Sequence, residues 1–521
     1  MSQSPADGST GGTQHPHKGR EVYLLAVLLL AVTCAAALIL YGIDKHSFLF
    51  YGDAASHIVK ARELVDSRYP GLESIGTVWL PLPHVLLMPF TAIDSLFFSG
   101  LAGAGVGIPC LIGTCILIFL IVRRLTGSSP AALLSACVFG LNPNVIYIAL
   151  TPMSEAPLFF FVAFAGYAHL RWSADAEDRW LLLAALAVMF ASLCRYEAWP
   201  LVPLVSLVAF VSGITFWKRG ERRRASRMLV IAFVSAAGIL FWLAWNQYQF
   251  GDVFQFMPWK YRPGPADARN PMWYRQESAS LTLLRAVLNI FGPFVLLLCV
   301  AGLLRLRGVT KKRHSLVLLT LGLPALFVFV GVPLDFILID QWWWNWRFVL
   351  VCGLFLSVVA GIGVAWSFDV VRSKIGRGIV SVALLAMPVV QLTLPAVGVA
   401  TYEDAAKIFS GLSHYAAAFG EKLGSEYKGG TIVLFTGSGL GERIMVSSGL
   451  PLKDFKFIRV LGGEDILGPI RAGDRYVVIG KVRLPDSRQV VNYWLSRREI
   501  FLQYYTILSE DENYLLLEQK Q

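Results

Sequence analysis

Apolar residues run along this chain in blocks of about 18 or more, separated by short polar or basic connectors. A helix of that length crosses a hydrocarbon core of roughly 30 Å, so each block is a candidate span. The pattern predicts helices over about 22–42, 101–122, 130–149 and 156–172, then a hairpin within 180–217. Further spans follow over about 228–249, 282–304, 315–333, 349–367 and 378–398. Counting the hairpin as two, the expectation is about 11 transmembrane helices. They must be helical, because unpaired amides in lipid cost several kcal/mol each. The stretch "WLPLPHVLLMPF" at 79–90 is also apolar, but its three prolines argue against a regular span. It reads as a re-entrant or interfacial piece in a long external loop over 43–100 that carries short surface helices.

From about residue 402 the pattern changes to alternating helices and strands. Strands are expected at 431–435, 455–460, 475–480, 501–507 and 513–518, with helices near 403–426, 441–448 and 487–498. That order predicts a small α/β domain with a largely parallel sheet. The organisation is then a polar, disordered N-terminus over 1–20, a membrane domain over 21–400 and a soluble extracytoplasmic domain over 402–521.

Composition agrees. The chain has 521 residues, 55% hydrophobic and 16% charged, with a net charge of +11. An ordinary soluble domain is excluded. The positive charge does not point to nucleic acid, because it sits in short connectors: Arg123–Arg124, 218–227, 305–314 and 372–377. Such clusters stay on the cytoplasmic side of a membrane. The eleven-span reading puts them together, with the N-terminus cytoplasmic and residues 402–521 outside. Treating 79–97 as a true span would invert every later segment and expose the basic loops. The first apolar run is too long for a signal-peptide core and reads as a retained anchor. All seven cysteines lie in apolar runs, so neither a disulfide framework nor a CxxC metal site is expected.

Candidate chemistry collects where the chain leaves the membrane on the outer side. In "LFYGDAASHIVKARELVDS" (49–67), Asp53 opens a helix with Ala54, Ile58, Ala61 and Val65 on one stripe and Asp53, Ser56, Lys60, Glu63 and Ser67 on the other. Asp53 serves either as a helix cap or as a catalytic carboxylate. Glu155, between Pro152 and Pro157, offers a second carboxylate at the same surface. Arg195 and Glu197 occupy the tip of the hairpin. Lys260, Arg262, Arg269 and Arg275 lie in a second external loop, and Arg347 in "WWWNWRF" at the start of a late span. External arginines suit a phosphate through bidentate hydrogen bonds; the alternative is snorkelling beside an aromatic belt. His57 and His84 with Asp53 form one metal-ligand set of the right residue types. The other reading has His57 orienting Asp53 or bonding a sugar. "TGSGLGERI" (436–444) follows a strand and opens a helix, but it lacks the GxGxxG spacing and a P-loop lysine, and reads as a tight turn.

The first-loop Asp, "NPNVIYIALTPMSEAP", "LCRYEAWP", "WNQYQFGDVFQF" and the Arg–aromatic pair before a late span occur in order on this topology. Together they resemble the GT-C glycosyltransferases, membrane enzymes that use polyprenyl-phosphate sugars. The similarity covers most of 20–400 and is nearest the protein O-mannosyltransferase and aminoarabinose-transferase branch. It implies that Asp53 is the catalytic base, with Glu155 as the second acidic residue. Family members often carry Asp-Glu at the first site, whereas Ala54 follows here. The resemblance further implies inverting transfer of a sugar, a hexose such as mannose, to an acceptor hydroxyl at the outer face. Arg347 or Lys260 would stabilise the departing phosphate, and Arg195, His57, Glu197 and His84 would line the substrate site. Some members use a divalent metal and others do not. The implied partners are a polyprenyl-phosphate-linked sugar, an acceptor (protein, lipid or glycan) and the bilayer, in a plasma membrane. The competing class is a lipid or sugar transporter or flippase. Such proteins usually carry ionisable residues at mid-span and internal repeats, and neither is evident here.

Overall fold

The structure is a computed structural model describing residues 19–72, 75, 78–257, 278–307, 312–334, 337, 345–393, 399–436, 440–457, 474–481 and 498–520. Lys260, Arg262, Arg269 and Arg275, residues 487–497 of the helix expected near 487–498 and residues 437–439 of "TGSGLGERI" lie outside them.

Helix α1 (Arg20–Ile43) is followed by a short 3-10 turn (Ser47–Leu49) and by α2 (Gly52–Glu63), α3 (Leu82–Thr91) and α4 (Asp94–Ser99). The membrane helices continue as α5 (Ala102–Thr126), α6 (Ser129–Gly140), α7 (Pro143–Leu150), α8 (Glu155–Asp175) and α9 (Asp178–Ser192). Next come α10 (Leu201–Lys218), α11 (Arg222–Phe250), α12 (Ala279–Phe291), α13 (Pro293–Arg307) and α14 (Lys312–Gly331). The membrane part closes with α15 (Cys352–Val370) and α16 (Lys374–Thr393).

Among the described residues six helices are long and apolar enough to cross a membrane, or eight if each bent pair is one span. The bent pairs correct two expected straight spans. α6 and α7 meet at 58°, and α12 and α13 at 99°. In each case a proline opens the second helix, Pro143 or Pro293, where it cannot continue the preceding hydrogen-bond ladder. The Pro-rich stretch forms α3, ten residues long and too short to span, with Pro89 inside it.

A second correction concerns α2. It is not a surface helix: Ala54, Ala55, Ser56, His57, Ile58, Val59 and Ala61 are all buried. It packs against α3 and against helix Leu440–Ser447 of the C-terminal segment, while Asp53, Lys60, Glu63 and Ser67 on its polar stripe stay half-buried.

That segment comprises α17 (Ala400–Ile408), α18 (His414–Glu426) and α19 (Leu440–Ser447). With them go strands β1 (Ile432–Phe435), β2 (Phe455–Phe457), β3 (Tyr476–Gly480), β4 (Tyr505–Glu510) and β5 (Tyr514–Gln519). The sheet order is β2-β1-β3-β5-β4. β1 pairs parallel with β2 and β3, whereas β5 pairs antiparallel with β3 and β4. The sheet is therefore mixed rather than largely parallel. The expected strand over 501–507 also begins late, since 498–504 is helical. Three residues, Asp511 to Asn513, join β4 to β5 as a hairpin, and a hairpin is antiparallel by geometry. One apolar core runs without a break from Leu25 to Leu516, so the sheet-bearing segment is welded to the membrane helices.

Charge marks the two ends of the helix bundle. Arg123 pairs with Glu21 at 3.2 Å, Arg124 with Asp175 at 2.8 Å and Arg224 with Asp178 at 2.8 Å. These pairs gather the start of α1, the ends of α5 and α8 and the starts of α9 and α11 at one end. α2, the start of α8, the α9–α10 turn and the start of α15 lie at the other.

Candidate active site

The second end holds a compact ionic network. Asp53 stands in the first turn of α2, where unpaired N–H groups and the helix dipole favour a carboxylate. Glu155 opens α8. It is held there by close backbone contact, since a Cβ on Gly107 would lie 1.8 Å from the Ala149 carbonyl oxygen and one on Gly103 2.2 Å from the Pro152 nitrogen. Those two glycines let α5 approach the chain that leads into Glu155. Arg195 and Glu197 occupy the α9–α10 turn. Arg347 sits in the 3-10 turn Trp346–Val351, two residues after Asn345, whose φ of 60° is left-handed.

Arg347 donates from Nη2 to Asp53 Oδ2 and from Nη1 to Glu155 Oε1 at 3.4 Å. Its guanidinium lies 5.0 Å from the Tyr51 ring and 5.3 Å from the Phe348 ring. Arg195 Nη1 reaches the same Glu155 Oε1 at 3.0 Å and Ser154 Oγ at 2.9 Å. Arg195 also donates from Nη2 to Glu197 Oε1 at 2.7 Å, with the other face of Phe348's surroundings closed by its guanidinium at 4.9 Å. Glu155 Oε1 thus bridges two arginines. Three carboxylates face two guanidinium groups, so the cluster carries one net negative charge when all are ionised.

Exposure divides the roles. The Asp53 side chain is 39% exposed, whereas Glu155 is 2% and Glu197 6% exposed. Asp53 can meet a substrate hydroxyl; the other two hold the cations. Glu155 Oε2 is buried and has no hydrogen-bond partner among the described residues. A buried carboxylate oxygen without a donor is costly, and a hydroxyl-rich ligand would supply one.

The expected Asp53–His57–His84 metal set is not assembled. His57 Nδ1 faces His84 Nε2 at 2.8 Å, so one proton lies between the rings, and Asp53 turns to Arg347 instead. Among the described residues no group of three or more His, Cys, Asp or Glu is placed to hold a metal. Burial, with help from Arg347 and Arg195, pushes His57 down to about 3; burial and then His57 hold His84 well below its ordinary value. Both rings are therefore neutral and meet between α2 and α3. A histidine titrates near 6.5 in the unfolded chain, so between pH 6.5 and 3 that state binds more protons. Stability present above pH 6.5 is expected to fall as the pH drops toward 3, by about 1.4 kcal/mol per unit per histidine. Melting the detergent-solubilised protein at pH 7, 6, 5 and 4 tests this. His57→Gln should flatten the slope, and an unchanged slope would contradict it.

Sequence reasoning singled out Asp53, Glu155, Arg195, Glu197 and Arg347, and the structure brings all five together. It missed Tyr51, Ser154, Asn345 and Phe348. Their one sequence signal is adjacency, each lying within two residues of a charged member. Arg443, from the end of "TGSGLGERI", was also missed. It is fully buried and donates through Nη2 to the Leu49 carbonyl, with the Tyr51 carbonyl at 3.4 Å. Helix α19 thus carries an arginine that grips the backbone just ahead of Asp53.

Residues 90–245 match the family model described as dolichyl-phosphate-mannose-protein mannosyltransferase. The fold is similar to ArnT from Cupriavidus metallidurans bound to undecaprenyl phosphate, with TM-score 0.54 and 13% identity over 94% of this chain and 97% of that one. The same enzyme in the apo state gives 0.52 and 13% over 94% and 98%. An uncharacterized protein of Aquifex aeolicus (strain VF5) is 25% identical over 207 residues, 39% of this chain. The match spans 38% of that relative's length. At these identities the structural likeness speaks for the fold: the chain is a multi-pass membrane protein with a fold similar to that of ArnT, and its central segment fits the family model described as dolichyl-phosphate-mannose-protein mannosyltransferase.

Proposed function

We propose that the chain is a polyprenyl-phosphate-dependent glycosyltransferase that passes a sugar, a hexose such as mannose, to an acceptor hydroxyl at the outer membrane face. The observation that carries this reading is the paired use of Arg347 by the exposed Asp53 and the buried Glu155. The family model and the shape shared with an undecaprenyl-phosphate-bound enzyme support it. Basic clusters gathered at the far end of the bundle support an outward-facing site and a cytoplasmic N-terminus.

In the proposed reaction Asp53 takes the acceptor's hydroxyl proton as that oxygen attacks C1 of the sugar. The C1–O bond to phosphate breaks, and its electron pair leaves on polyprenyl phosphate. Attack opposite the phosphate inverts C1. Charge moves as the roles of Arg347 require: Asp53 becomes neutral while the phosphate gains a charge. Arg347 can then pass from one to the other, with Glu155 and Arg195 fixing its position. Glu155 Oε2 is free to accept from a sugar or acceptor hydroxyl. An apolar cavity of about 170 Å³, lined by Leu82, Val85, Leu193, Phe241 and Trp245 among others, adjoins the Arg195 turn. It suits the first isoprene units of the lipid.

The test is transfer from radiolabelled undecaprenyl-phosphate hexoses and pentoses by the purified protein, with membrane extract as acceptor. The expected result is labelled acceptor and free undecaprenyl phosphate in equal amounts. Lipid that crosses proteoliposome membranes without any sugar transfer would instead establish the transporter reading.

A further inference from the structure

Asp404 lies in α17, in the first turns after the last membrane helix, and its side chain is almost wholly buried. Its Oδ2 accepts from the Asn345 backbone N–H at 3.0 Å and from the Tyr51 hydroxyl at 3.0 Å. That hydroxyl also reaches the Thr401 carbonyl at 2.8 Å, so two acceptors of α17 share its one proton. Both groups that Asp404 holds are in contact with Arg347. The Tyr51 ring lies under the guanidinium, and Asn345 Oδ1 is 3.4 Å from Arg347 Nε. Asn345 is also the left-handed residue that sets the direction of the Arg347 turn, a conformation that asparagine tolerates better than most residues.

We propose that Asp404 is a positioning residue: its carboxylate locks Tyr51 and Asn345, and through them holds Arg347 aimed at the donor phosphate. The C-terminal segment thereby completes the active site instead of merely covering it. The proposal rests on the glycosyltransferase reading of that site.

A carboxylate placed only for stability would sit where its charge is favoured. This one does not. Burial pushes Asp404 up to about 7, against the pull of Arg347, the Tyr51 and Asn345 hydrogen bonds and Lys407; Tyr147 also faces it. Its folded value is above the unfolded one, so it favours the fold below about pH 4 and gives that up as the pH rises through 7. At the pH where its hydrogen bonds are strongest it weakens the fold. A residue that costs stability in its working state is more readily explained by function.

The experiment compares transfer rates of wild type, Asp404→Asn and Asp404→Leu from pH 5.5 to 8.5, with melting temperatures of each. Wild type should show a limb near pH 7, rising with pH as the carboxylate ionises. Asp404→Asn keeps an acceptor oxygen without the charge. It should lose that limb and run about fivefold below the wild-type upper plateau, the loss expected when an acceptor is no longer ionised. Asp404→Leu removes both bonds and should fall about fiftyfold, with a raised KM for the lipid donor. At pH 8 neither variant should melt below wild type. An Asp404→Asn variant that keeps the wild-type limb overturns the proposal, as does a rate loss that follows a fall in melting temperature. A wild type that transfers nothing overturns the glycosyltransferase reading and this proposal together, which distinguishes the two failures.

Discussion

Asp53→Asn is expected to lower the transfer rate by about 10²–10⁴-fold at saturating donor, the range a positioned general base contributes. Three features separate this from a structural effect. Asparagine keeps the size of the side chain, and its amide oxygen still accepts from Arg347. The side chain is 39% exposed, and its buried partner Arg347 keeps Glu155 as a counter-charge after the change. Its place in the first turn of α2 tolerates asparagine, which also favours helix starts. Melting temperature should therefore stay near that of wild type while turnover collapses. The readout is kcat and donor KM on matched amounts of folded protein. Equal turnover by variant and wild type would reduce Asp53 to a helix-start residue paired with Arg347. A rise in donor KM with unchanged kcat would make it a holder of that arginine and leave the base to be found elsewhere.

How much of this was readable in advance differs between the helices and the site. Apolar runs announce membrane helices because lipid admits almost nothing else, and the starts and ends of α1, α5 and α8 follow the sequence pattern within a few residues. The bends at Pro143 and Pro293 were harder to read. A proline at the start of a helix is favourable, so the same residue either begins a new segment or merely kinks an old one. The charged half of the site was legible because carboxylates and arginines at an outer membrane surface need a purpose. The half that holds them was not. Asp404 and Arg443 lie about 350 and 390 residues after the groups they grip, and nothing local in "YEDAAK" or "GERI" marks them. Their roles come from the C-terminal segment folding over α2. The same packing makes α2 more than a surface helix: it buries Ala55, His57 and Val59 as well as Ala54, Ile58 and Ala61 of the apolar stripe, and leaves most of the polar stripe half-buried.

Arg347→Lys is expected to cost about 10²–10³-fold in kcat, comparable to losing a principal donor to a developing oxyanion. The charge is kept, so the loss would come from shape. The guanidinium contacts Asp53 and Glu155 from two nitrogens while lying against Tyr51 and Phe348. A lysine ammonium is one point charge without a flat face, and it cannot span both carboxylates in that plane. The fold should survive, because Glu155 retains Arg195 at 3.0 Å and is not left as an unpaired buried charge. Kinetics and melting temperature together check this: turnover falls while the melting temperature holds. The double variant with Asp53→Asn sharpens the test. If Arg347 passes from Asp53 to the phosphate during transfer, the two residues act as a unit. Their combined loss should then be close to the larger single loss rather than the product of both. A multiplicative loss would mean that the arginine and the base act on separate steps, and the exchange of partners proposed for Arg347 would be wrong.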